Sequence, residues 1–149
     1  LPVVSASRGE LEADFAPFRA LKAAPMAMTA HVLYPALDAE HCASTSPVII
    51  ADIIRGDIGF DGLLLSDDIG MAALGGTMVE RAQSVLAAGC DIALHCSGDF
   101  AEMAGLADAV GTISDAGAAR LARALAWADA AAGGDVATLT AQRDQLLAA

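Results

Sequence analysis

Two adjacent carboxylates, Asp67 and Asp68, follow the apolar run Leu63-Leu64-Leu65 and one serine, Ser66. Carboxylates at the rim of a cleft can attack an electrophilic carbon or exchange protons, so chemistry is most readily built here. Side chains alternate along a strand, which puts Leu63, Leu65 and Asp67 on one face and Leu64, Ser66 and Asp68 on the other. The two aspartates therefore have different jobs. Asp67 is expected at a mouth above an interior face, and Asp68 toward the helix layer, bonding amides of the following loop. The competing reading makes both of them turn or cap residues, a common use of Asp just past a strand. His31, near Tyr34 at the end of an earlier apolar run, is the second candidate, and its plainer reading is a hydrogen-bonded wall residue. His95 and Cys96 close a third run and are expected to pack, while His41 lies in a polar, solvated connection.

These residues are positioned by a pattern of alternating helices and strands. Ser7-Arg8-Gly9-Glu10 has the form of a capping box, and Leu11, Phe15, Phe18 and Leu21 follow at helical spacing, up to Pro25. Residues 25–33 read as a buried parallel strand closed by Pro35. Ser46-Pro47 opens a helix through Val48 to Ile54, and Leu63 to Leu65 form a second strand. A glycine-rich loop from Gly70 to Gly76 leads to a helix over Val79 to Ala88, ended by Gly89. Asp91 to Cys96 read as a third strand. The helix after Asp99 is expected to bury Met103, Leu106 and Val110. Beyond Ser114 only helices are expected, one stopping at Gly133-Gly134 and one from Asp135 to Leu147. Strands separated by single helices are parallel, with right-handed crossovers, which leaves an open doubly wound sheet or part of a (β/α)₈ barrel. Both architectures bind ligands at the carboxyl ends of the strands, where Asp67, His31 and His95 fall.

Composition narrows the partners. The 149 residues carry a net charge of -11, which repels phosphate backbones and anionic lipid, so neither nucleic acid nor a membrane surface is expected. The mean hydropathy of +0.53 comes from alanine and short apolar runs, and no stretch approaches the ~20 apolar residues of a membrane span. Three cysteines, Cys42, Cys90 and Cys96, form no C-x-x-C pair, which fits a reducing, cytoplasm-like compartment and argues against a zinc ribbon. Dinucleotide, P-loop, serine-elbow and zincin motifs are missing, and the histidines are scattered, so no cofactor and no metal site are implied. The opening Leu1-Pro2-Val3-Val4 lacks a Met and any signal-peptide feature, and reads as mid-chain.

Taken in order, the short motifs resemble family 3 glycoside hydrolases, above all the bacterial β-N-acetylhexosaminidases of cell-wall recycling. They are Pro17-Phe18-Arg19; Met28-Thr29-Ala30-His31-Val32 with Tyr34-Pro35-Ala36-Leu37-Asp38; Ser46-Pro47; Ile54-Arg55-Gly56; Gly59-Phe60-Asp61-Gly62; Ser66-Asp67-Asp68-Ile69-Gly70-Met71; and Ala88-Gly89-Cys90-Asp91. The resemblance implies an α/β fold, the last three strands and helices of a (β/α)₈ barrel over residues 1–112, with residues 113–149 as a helical tail packing on it. It implies a retaining mechanism with Asp67 as nucleophile, and His31, Asp68 and Met71 are placed beside it as substrate-binding residues. The implied substrate is a β-N-acetylglucosaminide or muropeptide. The family's Lys-His-Phe-Pro-Gly-His-Gly segment and the Asp-Ser-His loop carrying its acid/base histidine do not occur in this sequence. The expected partner is therefore the amino-terminal barrel half in the same full-length chain, and these 149 residues alone are expected to show little activity and exposed sheet edges. The alternatives are a non-catalytic α/β module that binds a partner along those edges, and a different barrel enzyme using the Asp67-Asp68 pair for acid/base work.

Overall fold

The computed structural model describes residues 1–130 and 134–148. Strands β1 (Met26–Met28) and β2 (Leu63–Leu65) pair in parallel, Met26 opposite Leu63 and Met28 opposite Leu65. The crossover between them is a π-helix, Ile49–Asp57, where regular α-helix was expected. Its wider winding shows in the Ile53 carbonyl, which accepts the Ile58 N–H five residues on, at 2.8 Å. Ile50 on this helix, Leu64 on β2 and Phe60, Ile69, Ala82 and Val85 around them make the core. Leu64 and Val85 are 1% and 0% exposed, and burying each such side chain contributes roughly 1.5–3 kcal/mol.

Helix α1 (Leu11–Ala20) is preceded by the expected reciprocal pair: the Ser7 amide and hydroxyl donate to Glu10 Oε2 at 2.8 and 2.7 Å, and the Glu10 amide donates back to Ser7 Oγ. Its apolar stripe is not buried as periodicity suggests. Leu11 enters the interior, but Phe18 and Leu21 stand 61% and 66% exposed. Phe15 instead lies beneath the guanidinium groups of Arg8 and Arg19. Helix α2 (Met78–Ala88) starts with a second capping box, Thr77 with Glu80, and stops at Gly89, whose φ of 115° suits glycine. A side chain at Gly89 would also meet Ile50 Cγ2 at 3.0 Å.

The expected third strand is reduced to one parallel bridge, Leu65 with Ile92. The ladder starts with the Asp91 N–H on Leu64 O and the Ser66 N–H on Ile92 O, but the next amide, Leu94 N–H, goes to the Ser66 hydroxyl. A side chain thus takes the donor that would have extended the sheet. The first run is likewise shorter than expected, because past Thr29 its backbone leaves β2, and Leu33 pairs in parallel with Val3. β1 thus lies beside β2 and β2 beside Ile92, while Val3 pairs with Leu33 in the segment beyond β1. Met26 and Met28 on β1 are exposed.

Helix α3 (Phe100–Val110), capped by Asp99, packs on α2 but buries no residue fully; Met103 is exposed, contrary to expectation, while Leu106 and Val110 touch the core. Helix α4 (Asp115–Asp129), capped by Ser114, lies against β2 and buries Gly117 and Ala124. It ends at Asp129, short of the expected Gly133-Gly134 stop, of which Gly133 is outside the described residues. Helix α5 (Val136–Leu147) buries no side chain. Among the described residues no helix is long and apolar enough to cross a membrane.

The loop after β1 is pinned by a buried serine. Ser46 Oγ donates to Asp38 Oδ2 at 2.7 Å and accepts the Ile49 N–H at the start of the π-helix. The Ser46 hydroxyl, helped by the Glu40 and His41 amides, lowers the Asp38 carboxyl from its ordinary 3.8 to about 2. A carboxylate depressed in the folded state adds stability above its unfolded pKa, and that share is lost as pH falls from about 4 through about 2. Urea midpoints measured across this window should fall less steeply for Asp38→Asn than for the unaltered protein; parallel slopes would contradict this.

Candidate active site

Because β1 and β2 are parallel, their carboxyl ends open on the same side, and the side chains that continue them meet there. Asp67 follows β2 and is half-buried. Among the described residues its carboxylate takes one hydrogen bond, at Oδ1, from the Asp68 N–H at 2.8 Å. Its backbone carbonyl accepts the hydroxyl of Ser66, which is fully buried. The same hydroxyl accepts Leu94 N–H, so Ser66 fixes the base of Asp67 against the neighbouring segment. The result is a carboxylate with one anchored oxygen, mounted on a rigid strand end.

Asp68 does the different job that alternation requires. Its Oδ1 accepts the Gly70 N–H of the following loop at 2.9 Å and the Cys96 N–H at 3.1 Å, and its carbonyl accepts the Met71 N–H. It is a knot between β2, its loop and the segment beyond Ile92. Met71 is 43% exposed, and its carbonyl, with those of Ile69 and Gly76, accepts from the Arg81 guanidinium of α2. Arg81 thereby braces the loop that carries Met71, a part that sequence reasoning missed.

His31 is drawn into the same cluster from below. Only 3% exposed, it reaches the Asp68 carbonyl through Nε2 at 3.0 Å and Ser44 Oγ through Nδ1 at 2.9 Å. Ser44 in turn accepts the Thr29 hydroxyl at 2.8 Å. Thr29 and His31, two residues apart on one strand face, carried a signal in their alternation; Ser44, on a distant loop, carried none. His31 thus meets the site through the Asp68 backbone, with both ring nitrogens occupied.

His95 also lies at this end, its Nε2 within 3.1 Å of Glu102 Oε2 and 2.8 Å of Ser97 Oγ. Its Nδ1 is buried without a hydrogen-bond partner and 4.0 Å from Asp68 Oδ1. Cys96, expected to pack, is exposed because the chain turns outward at Ser97. Cys42 and Cys90 are buried, and desolvation pushes the Cys90 thiol up to about 11, so it stays protonated. Among the described residues no three His, Cys, Asp or Glu side chains converge to hold a metal.

The opposite pole holds charges of another kind. Asp91, with its side chain 5% exposed, accepts Arg55 Nη2 at 2.9 Å, Arg120 Nη1 at 3.0 Å and the Leu64 N–H at 2.9 Å. Arg55 also donates to the Phe60 and Gly62 carbonyls, which tie the turn entering β2. Arg55 and the Phe60–Gly62 turn that it ties lie at the amino-terminal side of β2, away from Asp67.

Residues 1–125 match the glycosyl hydrolase family 3 N-terminal domain. A β-hexosaminidase of Chromobacterium violaceum is 51% identical over 88 residues, covering 56% of this chain and 24% of that protein. One from Nitrosospira multiformis is 39% identical over 128 residues, covering 83% and 36%. Among solved structures, NagZ from Neisseria gonorrhoeae in complex with N-trifluoroacetyl-D-glucosamine superposes with a TM-score of 0.72 at 38% identity, covering 83% of this chain and 37% of that one. A family 3 β-N-acetylglucosaminidase from Paenibacillus gives 0.71 at 30%, covering 91% and 29%. The chain spans little more than a third, at most, of the length of these four relatives. With a family match over most of its length and the parallel α/β frame just described, this chain belongs to glycosyl hydrolase family 3.

Proposed function

We propose that this chain is the carboxyl-terminal part of a (β/α)₈ barrel that releases terminal β-linked N-acetylglucosamine with retention of configuration, Asp67 being the nucleophile. The observation that carries the reading is the position of Asp67 at the carboxyl end of β2, one oxygen anchored by an N–H, in a chain whose relatives are β-hexosaminidases. In the first step the carboxylate oxygen bonds to the anomeric carbon as the glycosidic C–O bond breaks, and a general acid protonates the leaving oxygen. In the second, water adds to the same carbon, the Asp67 ester bond breaks and the acid's conjugate base takes the water proton. The acid/base group then belongs to the rest of the barrel, since no segment of this sequence resembles the family's histidine loop.

Within this proposal Asp68 shapes the loop, Met71 borders the sugar and His31 supports the floor. The substrate is a β-N-acetylglucosaminide of the muropeptide kind, the setting peptidoglycan recycling in the cytoplasm, and the partner the amino-terminal barrel half in the same full-length chain. Exposed Met26 and Met28 support that last point, because they give β1 an apolar face that a closed barrel would cover. The test is turnover of a chromogenic N-acetyl-β-glucosaminide by the intact enzyme and by residues 1–149 alone. The intact enzyme should be active and the shorter chain slower by ~10²- to 10⁴-fold, the usual worth of an acid/base group. Equal turnover would overturn the division of labour, and an intact enzyme inert toward glycosides would favour a partner-binding module.

A further inference from the structure

Thr29, Ser44 and His31 form a buried row of polar groups that the two-step reaction does not use directly. They are 6%, 0% and 3% exposed, in the layer beneath Asp67 and Asp68. Such groups are costly to bury unless every donor and acceptor is matched, and here the matching runs one way. The Asp68 carbonyl can only accept, so His31 Nε2 carries a hydrogen and donates to it at 3.0 Å. In the neutral ring Nδ1 is then an acceptor and takes the Ser44 hydroxyl at 2.9 Å, while the Ser44 oxygen takes the Thr29 hydroxyl at 2.8 Å. The row ends on the residue whose amide N–H holds Asp67 Oδ1.

We propose that His31 is a positioning residue for the nucleophile: the Thr29–Ser44–His31 relay fixes one ring tautomer, and its Nε2–H holds residue 68 so that the Asp68 amide keeps the Asp67 carboxylate aimed at the anomeric carbon. This rests on Asp67 being the nucleophile. A side chain gripping the sugar would add to binding as well as to rate, whereas one that aims the attacking oxygen acts on the chemical step. Small displacements of reacting groups are expensive, ~10²-fold for about 1 Å.

The test uses the intact enzyme with three variants. His31→Leu removes both ring contacts and should lower kcat by ~10- to 10²-fold with KM within about threefold. His31→Gln can still donate N–H to the Asp68 carbonyl and accept from Ser44, and should recover most of that loss. Ser44→Ala frees Nδ1 and should cost less than His31→Leu, and it stands in for that variant should the latter fail to fold. Independently of turnover, ¹⁵N shifts of the His31 ring should show hydrogen on Nε2 and none on Nδ1. A rise in KM with kcat preserved, a Gln variant no better than Leu, or an Nδ1–H ring would each overturn the relay. If Asp67→Asn kept full activity, the nucleophile assignment would fall with the ring tautomer unchanged, so the two failures are distinguishable.

Discussion

In the intact enzyme, Asp67→Asn is expected to lower kcat/KM by ~10³-fold or more while leaving the folded structure in place. The amide is close to isosteric, and its remaining carbonyl oxygen still accepts the Asp68 N–H that the carboxylate accepts through Oδ1. What it cannot do is form the ester. Asp68→Asn is the matched control, since its carbonyl oxygen can go on accepting the Gly70 and Cys96 amides. Its loss should stay within ~10-fold, because the contacts that hold the loop survive the change. Equal losses at the two positions would mean that alternation along β2 had not separated their roles. Circular dichroism and urea midpoints of both variants exclude unfolding as the cause.

The second large effect is expected far from the chemistry. Asp91→Ala should destabilise the intact protein by roughly 3–5 kcal/mol, as removing one partner of a buried charge cluster does. Arg55 and Arg120 would lose their shared carboxylate, and the Leu64 amide at the centre of β2 would lose its acceptor. The loss exceeds that of a surface pair because Asp91 is almost wholly out of solvent. Adding Arg55→Met to Asp91→Ala should restore part of the stability, since a partly buried guanidinium that has lost its counter-charge costs more than an apolar chain of similar reach. A change below about 1 kcal/mol in urea unfolding would show that the cluster is as weak as exposed ion pairs are. Activity at temperatures where the variant is folded should change little, because Asp91 lies at the amino ends of the strands.

The placement of Asp67, Asp68 and His31 at the carboxyl ends of the strands was legible in the sequence, and the Asp91 charge cluster at the other side was not. Period-two alternation separated Asp67 from Asp68, and the structure gives them distinct hydrogen-bond partners. The order of helices and strands was legible too, because apolar runs bounded by glycine, proline and capping residues are local signals. Partnerships between distant segments were not. Nothing in Ser44 marks it as the link between Thr29 and His31, and nothing in Arg120 on α4 points to Asp91, 29 residues before it. The third strand failed for a related reason: Asp91 to Cys96 has strand composition, but Ser66 takes the amide that the ladder needs. The exposed stripe of α1 shows the same limit, since periodicity tells which residues share a face and only the packed neighbours decide whether it is covered.

The most direct measurement is to stall the intact enzyme with a slowly released fluorosugar glycoside and map the labelled peptide by mass spectrometry. A single added sugar is expected on the carboxylate of residue 67, and none after Asp67→Asn. A sugar bonded to any other side chain would contradict it, as would release of product with inverted configuration.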